Sequence, residues 1–184
     1  MRRALIVLLS LLAFAPAEAT EAGWALLREG EQVVLLSHAM SPGAAEPARF
    51  KIDDCSTQRR LSDRGQQQAR KIGALFLARA APTERVLSSR YCRALETARL
   101  AFSDNDPEPM EALDLLSTDE KTVEAQNKAV IDEIRAYSGS GNLILITHRE
   151  NIKALTGVTA REGEAIIVRA NDQGLDVIGR IIFN

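Results

Sequence analysis

Leu143-Ile144-Leu145-Ile146-Thr147-His148 and Val33-Val34-Leu35-Leu36-Ser37-His38 are the two stretches on which the reading of this chain turns. Each is a short, unbroken apolar run, the pattern of a strand buried on both faces of a sheet between helices. Each also ends in a histidine, and the chain has only these two. In open α/β sheets ligands bind beyond the carboxyl ends of the strands. Two imidazoles about 110 residues apart in sequence can therefore meet over one pocket.

Working outward, Val86-Leu87-Ser88 reads as another short strand, and Ser89-Arg90-Tyr91-Cys92-Arg93 opens a helix through Leu95, Ala98, Leu100 and Phe102. Ala69, Ile72, Leu75 and Phe76 recur at helical spacing behind Leu61-Ser62-Asp63-Arg64-Gly65, with Ser62 as the N-cap. Ser117-Thr118-Asp119-Glu120 is a capping-box pattern ahead of Val123, Val130, Ile131, Ile134 and Tyr137. Thr147-His148-Arg149-Glu150 is a second one, opening a short helix that stops near Gly157. Glu164 to Val168 and Leu175 to Ile182 form a closing strand pair around an Asn171–Gly174 turn. Thr20 to Glu31 is read as a lead-in. Met40 to Arg60 is a long connection rich in Pro, Gly and Ala, a length that in compact domains usually signals function. Alternating strands and helices predict an α/β protein: a three-layer α/β/α sandwich with a mainly parallel central sheet.

The amino terminus has another character. Met1-Arg2-Arg3 is basic, Ala4 to Phe14 is apolar, and Ala17-Glu18-Ala19 fits a small-x-small cleavage site. A signal peptide over residues 1–19 and one domain over 20–184 follow as expectations, with a periplasmic or secreted location. The apolar stretch is too short for the roughly 20 residues that cross a bilayer, so no stable span is expected after cleavage. In such a compartment Cys55 and Cys92 are expected to form a disulfide. A net charge of -2 argues against a nucleic-acid partner. Two His and two Cys without metal-ligand spacing argue against zinc, and no metal or other cofactor is expected.

The chemistry gathers around three residues. His148, at a helix start, stands where unpaired backbone N–H groups favour an anion, with Arg149 beside it. His38 follows a buried strand, and a neutral imidazole there can attack phosphorus when nearby cations hold its pKa down. Arg93, one turn into its helix, offers a planar fork that fits two phosphate oxygens.

Four segments together resemble the histidine phosphatase superfamily, also called phosphoglycerate mutase-like. They are Leu36-Ser37-His38-Ala39 with Gly43, Leu61-Ser62-Asp63-Arg64-Gly65 through Ala69, Ser88-Ser89 through Arg93-Ala94 to Thr97-Ala98, and Thr147-His148 with Asn151-Ile152. The resemblance implies a phosphoglycerate mutase-like fold and a phosphohistidine mechanism. His38 would be the nucleophile, Arg93 the phosphoryl clamp and His148 the group that stabilises transition-state charge. Arg59 or Arg60 would reach substrate. The family has an arginine before the nucleophile, and Ser37 stands there in this chain. A hydroxyl can bond phosphate but carries no charge, and Arg149 or Arg49 would have to compensate. Loss of one preorganised donor costs roughly 10²–10³-fold in turnover. For the acid that protonates the leaving oxygen, the resemblance points first to Glu111, with Asp114 and Glu150 as alternatives.

The expected activity is that of an exported, cofactor-independent phosphomonoesterase acting on a small phosphate ester or a phosphorylated envelope component. The alternative is a degenerate, non-catalytic binder of phosphate-containing ligands, which Ser37 motivates.

Overall fold

The computed structural model describes residues 16–183, with side chains from Thr20 onward. Of the signal peptide expected over residues 1–19, residues 1–15 lie outside the described residues. Ala17-Glu18-Ala19 falls within the first turns of helix α1 (Pro16–Glu29). After it come β1 (Val33–Ser37), α2 (Asp63–Ala78), β2 (Thr83–Ser88), α3 (Cys92–Ala101) and β3 (Glu108–Pro109). Helix α4 (Glu120–Ala136), β4 (Asn142–Thr147), α5 (Arg149–Thr156), β5 (Ala165–Asn171) and β6 (Gly174–Ile181) complete the domain.

The strands form one mixed sheet in the order β3-β2-β4-β1-β5-β6. Strands β1 to β4 pair in parallel, whereas β5 and β6 run antiparallel along one edge. A short connection lets β6 fold straight back on β5, and no crossover helix is needed for antiparallel neighbours. Alternate residues of the apolar runs serve opposite faces. Val34, Leu36, Ile144 and Ile146 pack with Trp24 and Leu27 of α1, Ile72 and Phe76 of α2, and Ala94 and Ala98 of α3. Val33, Leu35, Leu143 and Leu145 pack with Val130 and Ile134 of α4 and Ile152 and Leu155 of α5. Each fully buried Val, Leu or Ile among them contributes about 1.5–3 kcal/mol. This is the three-layer α/β/α sandwich.

Two local expectations are corrected. The segment Thr20–Glu31 is mostly helix, anchored by Trp24, whose ring meets Phe76 edge-on at 5.4 Å and Phe183 at 5.8 Å. The two capping boxes also resolve differently. Asp119 caps α4 by accepting from the Thr122 N–H, and Ser117 accepts from Asp119 instead. His148 takes the N-cap position of α5 without a side-chain bond, while Thr147 donates to the Leu113 carbonyl. Ser62 caps α2 as expected, accepting from Gly65 N–H at 3.0 Å. Gly65 is required there because a Cβ would lie 2.0 Å from the Met40 carbonyl oxygen.

Register decides where the chemistry emerges. Ser37 lies opposite Thr147, and Ser88 opposite Ile146, so β1, β4 and β2 end together. The residues that follow them are His38, His148 and Ser89.

Candidate active site

His38 is held by backbone bonds on two sides. Its own N–H donates to Thr147 O at 2.9 Å, and its carbonyl accepts from Gly163 N–H at 2.9 Å. Gly163 turns there with φ 72°, a left-handed conformation that only glycine adopts without strain. The next residue, Ala39, donates to Thr97 Oγ1 at 3.0 Å, and the Thr97 hydroxyl donates to Arg93 O at 2.7 Å. The nucleophile candidate and the helix of the clamp are thus fixed to one another.

Side-chain bonds set both tautomers. His38 Nδ1 lies 2.8 Å from the Ala39 carbonyl oxygen, which can only accept, so Nδ1 carries the proton. Nε2 keeps its lone pair and accepts from Arg93 Nε at 3.1 Å. Arg93 Nη2 donates to His148 Nδ1 at 3.1 Å, which leaves the His148 proton on Nε2, facing Ser89 Oγ at 3.0 Å. The Ser89 hydroxyl donates in turn to Asp114 Oδ1 at 3.0 Å. Asp114 also accepts from the Arg90 backbone N–H and from Arg90 Nε, both at 2.7 Å.

Burial drives both imidazoles toward the neutral form. His38 is pushed down to about 3, first by burial and then by Arg93, Arg59 and Arg149, against the opposing bond to Ala39. His148 is pushed well below the usual histidine value, again by burial and then by Arg93 and His38. The two rings meet edge-on with centroids 5.3 Å apart. The Arg93 guanidinium lies over the Tyr91 ring, 4.9 Å from its centroid, and the Tyr91 ring stands edge-on to His148 at 5.0 Å.

Above these groups opens a cleft of about 500 Å³ whose walls include His38, Ser41, Glu46, Arg59, Arg93, Arg149, Glu150 and Glu162. Its roof is the Met40–Arg60 connection. Cys55 and Cys92 form the expected disulfide, with Cα atoms 5.7 Å apart. Gln58 accepts from Cys92 N–H at 2.9 Å and donates to the Lys51 and Ile52 carbonyls, and Phe50 stacks on Tyr91 at 5.0 Å.

His38, Arg93, Arg59 and Arg149 all reach the cleft. His148 sits behind Arg93 with no exposure, so its contact with the cleft runs through that guanidinium. Ser37 is fully buried, its hydroxyl directed to the His38 carbonyl at 3.5 Å, and it does not line the cleft. Arg60 turns away to Glu96 at 3.2 Å. Arg49 is exposed and also absent from the walls. Glu111 is displaced because its carboxylate pairs with Arg90 at 3.0 Å and is 78% exposed. Asp114 is buried under Ser89 and Arg90, and only Glu150 of the three acid candidates lines the cleft.

Sequence reasoning overlooked Glu46, Glu162 and the role of Ser89. Glu46 Oε1 lies 2.5 Å from Arg93 Nη1, and Glu46 Oε2 accepts from the Arg59 N–H at 3.3 Å. Glu162 accepts from Ser41 N–H at 3.4 Å. Ser89 belonged to a recognised segment, but nothing local links it to a histidine 59 residues later.

No family model and no curated protein sequence matches the chain. Solved structures do. A protein histidine phosphatase SixA complexed with tungstate is 18% identical, covering 82% of this chain and 96% of its own, with a TM-score of 0.56. A putative alpha-ribazole-5'-P phosphatase from Escherichia coli is 14% identical over 82% of this chain and 96% of its own, with a TM-score of 0.64. Phosphoglycerate mutase from Thermus thermophilus is 18% identical over 83% and 99%, with a TM-score of 0.58. These neighbours are histidine phosphatase superfamily members, and the chain has the phosphoglycerate mutase-like fold of that superfamily.

Proposed function

We propose that this protein is a phosphomonoesterase that transfers the phosphoryl group of a small ester to His38 Nε2 and then to water. The observation that carries the reading is the fixed tautomer of His38. Its lone pair is on Nε2, beside the Arg93 guanidinium, and burial keeps the ring unprotonated. A nucleophile must present an unprotonated pair, and the pair on Nε2 comes into line with phosphorus once Arg93 Nε turns from it to a phosphoryl oxygen. Phosphoryl transfer otherwise needs positioning and charge stabilisation more than covalent chemistry. Arg93 supplies the fork, while Arg59 and Arg149 add positive charge at the cleft wall. His148 orients Arg93 Nη2 from behind. In the first step the P–O bond breaks with its electron pair going to oxygen, and Nε2–P forms. In the second, water attacks phosphorus and the pair returns to Nε2.

The same proposal includes export. The Cys55–Cys92 bridge supports an oxidising compartment. Cleavage after Ala19 keeps Trp24 and Leu27 in the core. The substrate proposed is a small phosphate ester or a phosphorylated component of the cell envelope. A neighbouring structure named as a phosphatase for alpha-ribazole-5'-P and another holding tungstate are in keeping with a phosphate-sized site.

The alternative of a non-catalytic binder rests on Ser37, which leaves the cleft without the arginine that precedes the nucleophile in the superfamily. Hydrolysis of p-nitrophenyl phosphate by wild type and His38→Ala separates the two readings. Wild-type turnover that disappears in His38→Ala supports the enzyme. Phosphate binding without turnover in either protein supports the binder. Amino-terminal sequencing of protein recovered from the culture fluid or envelope fraction tests export, with Thr20 as the expected first residue.

A further inference from the structure

Resting on that reading, we infer that Glu46 is the carboxyl group that protonates the leaving oxygen, and that it waits on Arg93 until a phosphate displaces it. All three guanidinium nitrogens of Arg93 are engaged. Nε meets the attacking nitrogen of His38, Nη2 meets His148, and Nη1 meets Glu46. The two histidines lie on the sheet side and are buried, whereas Glu46 comes from the roof and lines the cleft. A phosphoryl group entering the cleft therefore takes Nη1 from Glu46, because that is the partner on its own side. Arg93 Nε likewise turns from His38 Nε2 to a phosphoryl oxygen, which frees the attacking pair and leaves the phosphoryl group between His38 and Glu46. In-line displacement puts the leaving oxygen opposite Nε2, on the side from which Glu46 descends.

The proton balance closes without another reactant. Phosphate monoesters lose their second proton near pH 6, so a monoanion is available at neutral pH. Its proton passes to the displaced Glu46 carboxylate, which stands beside the phosphoryl oxygens. Glu46 gives that proton to the leaving oxygen as the P–O bond breaks and Nε2–P forms. The carboxylate so regenerated accepts a proton from the water that attacks the phosphohistidine. The bridge from Cys55 to Cys92 and the Gln58 bonds hold the roof near Arg93 through both steps. The other wall carboxylates are placed less well. Glu162 is tied to the backbone of Ser41, and Glu150 projects from the exposed first turn of α5.

The test compares wild type, Glu46→Gln and Glu46→Asp on p-nitrophenyl phosphate and on 2-glycerophosphate, reading kcat/KM, which reports phosphohistidine formation. Nitrophenolate leaves without help, whereas an alkoxide needs the acid. General acids contribute about 10²–10⁴-fold. The expected result is a loss of at least about 10²-fold for Glu46→Gln on the alkyl ester, a loss within about tenfold on the aryl ester, and partial recovery in Glu46→Asp. A rapid-quench phosphoenzyme burst from p-nitrophenyl phosphate in Glu46→Gln shows that this variant is folded and competent. Equal losses on both esters overturn the inference and leave Glu46 as a support for Arg93, and unchanged rates on both also overturn it. A wild type that forms no phosphoenzyme and cleaves neither ester overturns the parent reading, and this inference falls with it.

Discussion

His38 Nδ1 lies 2.8 Å from the carbonyl oxygen of Ala39, and that bond determines which ring nitrogen can react. Because the carbonyl takes the only ring proton, Nε2 stays a free base facing Arg93. His38→Ala is expected to lower kcat by about 10⁴-fold or more, the scale of removing a nucleophile that works with its partners as a unit. Acid-free quenching after mixing with ³²P-labelled substrate should trap label in wild type and none in the variant. Label retained in His38→Ala would place the nucleophile elsewhere.

Arg149 is expected to matter more than Ser37. The arginine lines the cleft and lowers the proton affinity of His38, while the serine is enclosed behind the strand end. Arg149→Ala should reduce kcat/KM by about 10²-fold, in line with the loss of one preorganised charge. Ser37→Ala should stay close to wild type. The reverse ranking in steady-state kinetics would contradict the assignment of the positive charge to Arg149.

Stability should fall on the acid side of neutrality. His38 and His148 have folded-state values below the unfolded value of 6.5, so between that value and the folded one the unfolded chain binds more protons. Stability contributed by keeping the rings neutral is complete above about pH 6.5. It is lost as pH drops, at about 1.4 kcal/mol per pH unit for each ring. For His38 the decline continues toward about pH 3. Urea denaturation at neutral pH and at two mildly acidic values should show this slope, and it should be shallower in a His38→Asn, His148→Asn double variant. An identical slope in both proteins would mean that the loss comes from other groups.

Reduction of Cys55–Cys92 should cost about 4 kcal/mol, the chain-entropy value for a loop of 37 residues. Activity should fall with it, since the same bridge restrains the connection that carries Ser41 and Glu46. Thermal melts and aryl phosphate assays with and without dithiothreitol give both quantities. A midpoint unmoved by reduction would show that Gln58 and the Phe50–Tyr91 stack suffice to hold the roof.

The elements that could be read from sequence are those whose burial is written in consecutive residues. Strands β1 and β4 stand out as apolar runs, and α2 as Ala69, Ile72 and Phe76 behind a serine cap. The meeting of His38 with His148 follows from strand ends alone. Helix α1 escapes such a reading because its two core anchors, Trp24 and Leu27, are flanked by alanines and glutamates that resemble a processing site. Glu46 is invisible for another reason. It lies in a connection with no periodicity, and its contact with Arg93 depends on how that connection is folded by bonds far along the chain. Glu111 is favoured by segment order, yet Arg90 draws it to the surface.

The cleft walls carry three arginines, Arg59, Arg93 and Arg149, and three glutamates, Glu46, Glu150 and Glu162. With both imidazoles neutral, the resting cleft is electrically balanced. An anion approaching it meets little long-range pull, and net attraction appears only when a carboxylate gives way. Selection is then by exchange at contact distance instead of by steering from solution, so capture of substrate should depend little on ionic strength.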